Sequence, residues 1–139
     1  WQNSAVRISA RRLNGIDTDM KDVPDIVPSA AVMALFAEGP SRLREVEHLR
    51  YKETDRLQAL VENIERLGGI ARIEGTNLSI VPAPLKGTCL PTFNDHRMAM
   101  SFALVGLRIP EVYIENPGCV VKSFPEFWSG LDRLREPAL

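Results

Sequence analysis

The chain has 139 residues, 45% hydrophobic and 25% charged, with Lys+Arg 17 against Asp+Glu 18 and a formal net charge of -1. That balance supplies no basic field for polyphosphate chains or anionic lipid, so neither nucleic acid nor a membrane is expected as a partner. The longest apolar run, Ala30 to Ala37, falls far short of the roughly 20 residues that cross a bilayer. Two cysteines, Cys89 and Cys119, are too few for a disulfide framework, which points to a reducing, cytoplasmic setting. The opening Trp1-Gln2-Asn3 has neither an initiator Met nor a signal segment, so a piece of a longer chain is expected.

In chain order, Val6, Ile8 and Ala10 alternate with polar residues and predict a strand over Ala5 to Ala10. Ile26 to Glu38 is apolar nearly all round and predicts a buried helix starting near Asp25 and stopped by Gly39-Pro40. Ser41 to Val46 reads as a strand. From Thr54, the residues Leu57, Leu60, Val61, Ile64 and Leu67 form the apolar stripe of an amphipathic helix that Gly68-Gly69 ends. Ile70 to Glu74 and Leu78 to Val81 predict a hairpin with a three-residue loop, and a Pro-rich connection runs from Pro82 to Pro91. A helix capped at Asn94 or Asp95 is expected up to Leu107, followed by a strand at Glu111 to Glu115 and a turn at Asn116-Pro117-Gly118. Val120 to Lys122 reads as extended. Ser123 and Glu126 then form a candidate capping box for a last helix whose stripe is Phe124, Phe127, Trp128, Leu131 and Leu134. The expected class is α/β (α+β), with a repeated βα-containing unit.

Chemistry concentrates where charged residues open helices, because a helix N-terminus offers free N–H groups and partial positive charge to an anion. Three such places occur: Lys52-Glu53-Thr54-Asp55-Arg56, Asn94-Asp95-His96-Arg97 and Val121-Lys122-Ser123. Spacing alone leaves each open to two readings, a solvated or ion-paired helix start and an anion site. No C-x-x-C, H-x-x-x-H or H-E-x-x-H spacing suggests a metal, and neither G-x-x-x-x-G-K-[ST] nor G-x-G-x-x-G suggests a nucleotide loop. Any phosphate would have to be held by Arg and Lys.

Four segments occur in a telling order: Ile16 to Asp25, Leu49-Arg50-Tyr51-Lys52-Glu53-Thr54-Asp55-Arg56-Leu57, Phe93-Asn94-Asp95-His96-Arg97-Met98-Ala99-Met100, and Lys122-Ser123-Phe124-Pro125-Glu126-Phe127. In order and spacing they resemble the C-terminal third of the 5-enolpyruvylshikimate-3-phosphate synthase family, from about Asn14 to Leu134. The resemblance implies a two-domain transferase. Each of its domains is an inverse α/β barrel-like assembly of three βαβαββ units, with the active site between the domains. Residues 1–139 would then be a single-domain fragment holding about two of the three C-terminal repeats, with the N-terminal domain as its missing partner.

The implied reaction moves the enolpyruvyl group of phosphoenolpyruvate to the 5-hydroxyl of shikimate 3-phosphate and releases phosphate. It implies neither cofactor nor metal. On this reading Asp25 takes the hydroxyl proton and also touches shikimate 3-phosphate, Lys52 is a second contact to shikimate 3-phosphate, and Glu53 handles the proton at the methylene carbon. Arg56, Arg97 and Lys122 surround phosphoenolpyruvate, with Asp95 and His96 close by, and Lys122 counts among the catalytic residues. His48 stands where many members carry an Asn that contacts shikimate 3-phosphate. The family's N-terminal Lys-Ser pair has no counterpart here, so the chain alone is expected to be inert. Two alternatives stand beside this reading: a UDP-N-acetylglucosamine enolpyruvyl transferase relative, and a non-catalytic phosphate-ligand binding or interaction module.

Overall fold

The computed structural model describes residues 12–135; the strand expected at Ala5 to Ala10 lies outside the described residues. Ten elements follow: β1 (Asp17–Asp19), α1 (Val27–Ala34), β2 (Ser41–Arg44), α2 (Arg56–Arg66), β3 (Ile70–Glu74), β4 (Asn77–Val81), β5 (Cys89–Leu90), α3 (His96–Ala103), β6 (Tyr113–Ile114) and α4 (Phe127–Arg135). Single turns of 3-10 helix at Glu47–Tyr51, Leu104–Leu107 and Pro117–Val120 join them.

The first six elements make one complete βαβαββ unit. Its sheet runs β1-β2-β4-β3, with β1 parallel to β2 and the other pairs antiparallel. The next four begin the same pattern again, since β5 and β6 are parallel and α3 lies between them as α1 lies between β1 and β2. The two short helices, each of eight residues, pack on one another.

Alternation sets the inner and outer sheet faces. Leu43, Leu78, Ile80 and Ala71 point inward onto the helices, and Arg42, Arg44 and Arg72 point out. A fully covered cluster of Val27, Leu43, Leu57, Leu60, Ile64, Leu78 and Ile80 joins the sheet to α1 and α2. Burying one such aliphatic side chain contributes about 1.5–3 kcal/mol.

Local chemistry sets the ends of α2. Asp55 is its N-cap, accepting from Gln58 N at 3.0 Å, a contact worth about 1 kcal/mol. At the other end Gly68 sits at φ 95°, Gly69 N donates to Ile64 O, and Gly68 N donates to Glu65 O, the paired bonds of a left-handed helix stop. In the hairpin that follows, Glu74 pairs with Asn77, so the loop is the two residues Gly75-Thr76 rather than three, with Gly75 at φ 62°.

Several expectations need correction. The strand that feeds α1 is Asp17–Asp19, and Cys89–Leu90 inside the Pro-rich connection is also a strand; both are too short to show a period. α1 stops at Ala34, and it is not buried all round, because Ile26 and Met33 are exposed. The segment expected to be extended at Val120 to Lys122 instead leaves a 3-10 turn, where Cys119 is half-buried. No capping box forms at Ser123. Its hydroxyl donates back to Val120 O at 3.3 Å, and Pro125 disfavours helical backbone at Phe124, so α4 waits until Phe127. Of the last stripe, Leu131 is buried, while Phe124 is 49% and Leu134 73% exposed. Among the described residues no helix is long and apolar enough to cross a membrane.

Candidate anion site at three helix starts

The first turns of α1, α2 and α3 meet, and an ion network joins them. Arg56, the first residue of α2, is only 1% exposed. Its guanidinium donates from Nε to Asp95 Oδ2 at 2.7 Å and from Nη2 to Asp95 Oδ1 at 3.4 Å, a forked pair. Nη2 also reaches Glu53 Oε2 at 2.6 Å, and Nη1 reaches Asp25 Oδ1 at 3.3 Å. The other oxygen of Asp25 accepts from Arg97 Nη2 at 2.7 Å. Five residues named from three distant motifs therefore touch in one chain of contacts.

Each is placed by local backbone. Asp95, 0% exposed, is the N-cap of α3 and accepts from Arg97 N at 2.8 Å and Met98 N at 3.4 Å while holding Arg56. Its approach is strained, for Phe93 (φ 55°) and Asn94 (φ 57°) both take left-handed backbone. Asn tolerates that region, but a bulky Phe there costs about 1–3 kcal/mol. The tie from Asn116 Nδ2 to Asn94 Oδ1 at 3.3 Å fastens this turn to the loop before the 3-10 helix. Asp25 lies two residues ahead of α1 and is half exposed, which leaves its carboxylate open to solvent.

His96 follows Asp95 and is buried, with Nδ1 covered and without a partner among the described residues. Burial lowers its pKa from the ordinary 6.5. Asp95 pulls the other way, Arg97 and Lys122 reinforce the lowering, and Glu53 opposes it. Glu53 and Lys122 thus both lie near enough to bear on the imidazole charge. Lys122 is exposed and makes no ion pair among the described residues.

The remaining two candidates stay apart. Lys52 follows the 3-10 turn that carries His48 and is exposed, and no hydrogen bond or ion pair among the described residues ties either one to the network. His48 Nε2 is covered and unpartnered there.

A cleft of about 260 Å³ opens beside the network, lined by Asp25, Arg97, Ser29, Ser101, Met100 and Phe124 among others. Pockets that enclose a small molecule start near about 300 Å³, and this cleft falls just short of that size. Among the described residues no group of three or more His, Cys, Asp or Glu is placed to hold a metal.

Sequence reasoning passed over Asn63, which is 0% exposed and donates from Nδ2 to Pro91 O at 3.0 Å, steadying the loop that leads to Asp95. A signal existed. Positions 56, 60, 63, 64 and 67 are one helical stripe, so Arg56 and Asn63 are polar residues on the buried side.

The unit packs one face of its sheet on helices and gathers cations and carboxylates at their starts. The structure is similar to the EPSP synthase of Acinetobacter baumannii (TM-score 0.80, 28% identity, 88% of this chain and 30% of that one). Its fold is also that of the enolpyruvyl transferase NikO of Streptomyces tendae (TM-score 0.71, 23% identity, 91% and 29%). The described residues are thus part of an inverse α/β barrel-like domain. Residues 1–131 match the family model for EPSP synthase (3-phosphoshikimate 1-carboxyvinyltransferase), and the chain belongs to that family. A 3-phosphoshikimate 1-carboxyvinyltransferase of Nostoc punctiforme is 43% identical over 126 residues, 91% of this chain. The chain spans about 30% of that relative's length.

Proposed function

We propose that this chain supplies one wall of the active site of a 3-phosphoshikimate 1-carboxyvinyltransferase. The observation that carries the reading is the contact chain Asp25–Arg56–Asp95 and Asp25–Arg97, with Glu53 on Arg56. It joins base, acid and anion-binding cations at three helix starts, whose partial charges favour anions.

Asp25 accepts the proton of the 5-hydroxyl of shikimate 3-phosphate as that oxygen bonds to C2 of phosphoenolpyruvate. Glu53 delivers a proton to C3, and a tetrahedral intermediate results. Loss of a C3 proton and cleavage of the C2–O bond to phosphate then restore the double bond. Arg56 and Arg97 suit the carboxylate and phosphate of phosphoenolpyruvate because planar guanidinium groups pair with oxyanions in a fork, and Lys122 adds a point charge. Fixed cations meet the charge that grows on the departing phosphate. Lys52 and His48 face shikimate 3-phosphate from the segment before α2, and Asp95 and His96 flank phosphoenolpyruvate. The reaction as proposed uses neither cofactor nor metal. Cytoplasmic placement belongs to the same proposal.

The proposal makes the N-terminal domain of such an enzyme the partner of this wall, so the 139 residues alone do not turn over. A hybrid tests it: this chain replaces the matching stretch of the Nostoc punctiforme relative. The hybrid should release phosphate only with both substrates, and Arg97→Gln in it should lower kcat/KM by roughly 100-fold or more, the scale of one lost transition-state donor. A folded hybrid that releases no phosphate, or one indifferent to Arg97→Gln, would sink the reading.

A further inference from the structure

The three carboxylates of the network are held in different ways. Asp95 has no exposure, and its oxygens are committed both to Arg56 and to the first N–H groups of α3. Asp25 caps nothing. Its side chain is 51% exposed, and the bonds it makes among the described residues are one to Arg56 and one to Arg97. Arg97 in turn has Asp25 as its carboxylate partner among the described residues, and the two share the wall of the 260 Å³ cleft.

We propose that Asp25 is an exchangeable internal anion, whose carboxylate competes with a small phosphate- or carboxylate-bearing ligand for the guanidinium groups of Arg97 and Arg56. This deepens the reading above and rests on it, because that reading makes the two arginines anion contacts. Binding and deprotonation are then linked events. The ligand's oxygens take the Arg97 and Arg56 donors that Asp25 held, and the freed carboxylate turns to a hydroxyl within the same cleft. Asp95 does not exchange, so Arg56 keeps its plane throughout. Glu53, with a side chain 38% exposed, loosens from Arg56 Nη2 in the same exchange.

The consequence is opposite to that of a simple ligand contact. Neutralising Asp25 should tighten the binding of a bare oxyanion, since it removes a competitor from the donors and a negative charge from the cleft. The test uses the 139-residue chain, with inorganic phosphate as the probe at fixed ionic strength and the arginine Nε–H resonances as the readout. Asp25→Asn is expected to bind phosphate roughly three- to tenfold more tightly than the parent chain, the range that one or two partly exposed ion pairs are worth. Asp25→Ser should shift affinity in the same direction, which separates loss of charge from any new hydrogen bond of the Asn amide. Both changes fall at a half-exposed position, and the amide spectrum checks that the fold persists. Arg97→Gln should weaken binding. If Asp25→Asn and Asp25→Ser bind phosphate no better than the parent while Arg97→Gln still weakens it, the anion site stands and the exchange is overturned. If phosphate moves no arginine resonance in any of the four proteins, both readings fall.

Discussion

Replacing Arg56 by Met removes the one guanidinium that Asp25, Glu53 and Asp95 share. The decisive contact is with Asp95, which is 0% exposed and would lose donors at 2.7 and 3.4 Å while keeping the N–H groups of Arg97 and Met98. Breaking a buried pair by removing one partner costs about 3–5 kcal/mol, because a charge is left in a low-dielectric place. For a chain of this length that corresponds to a fall in Tm of roughly 10–17 °C. The control is Arg56→Met with Asp95→Asn. Asn still caps α3, so the double variant leaves no buried charge and should recover at least half of the loss. Urea unfolding followed by circular dichroism, with the midpoint and slope read separately, measures both. A loss below about 1 kcal/mol for Arg56→Met, or a double variant no more stable than the single, would refute the idea that the buried Asp95 charge makes Arg56 indispensable.

Asn63→Ala should destabilise by about 1–3 kcal/mol, the scale of a buried carbonyl left unpaired, and hydrogen exchange at Thr92 to Asp95 should quicken in the same variant. A stability change without faster exchange there would deny Asn63 its role in steadying the loop. His96 makes stability depend on pH. Its pKa is lowered in the fold, so the unfolded chain takes up a proton first as pH falls below the ordinary 6.5. Stability should therefore decline from about pH 6.5 downward and level off once the folded form is protonated too, with little change above pH 7. Urea midpoints between pH 5 and 8 measure this, and His96→Asn should flatten the part of the slope that His96 causes.

The sequence carried unequal amounts of this architecture. α2 was legible because its stripe, its cap and its paired glycines all agree, and the hairpin was legible except for one loop residue, since Asn77 is paired rather than free. β1 and β5 were not, for strands of three and two residues have too few positions to show alternation and are set by their partners Ser41–Arg44 and Tyr113–Ile114. The capping box at Ser123 failed because a local pattern cannot tell a hydroxyl that caps forward from one bonded back to Val120. At the site, motif order pointed to Asp25, Glu53, Arg56, Asp95 and Arg97, which the structure joins. It did not reveal that the carboxylates hold the arginines, nor that Asn63 anchors their loop. Those depend on helix packing, which brings Asp25 to Arg97 across 72 positions of chain.

The charges around the three helix starts balance: Asp25, Glu53, Asp55 and Asp95 stand against Lys52, Arg56, Arg97 and Lys122, with His96 favoured in its neutral form. A cluster with no monopole exerts little pull at long range, so a diffusing anion gains almost nothing from it until the two are within a few ångströms. Encounter is then governed by orientation rather than by electrostatic steering. Ionic strength should act mainly on how long an anion stays and only weakly on how fast it arrives.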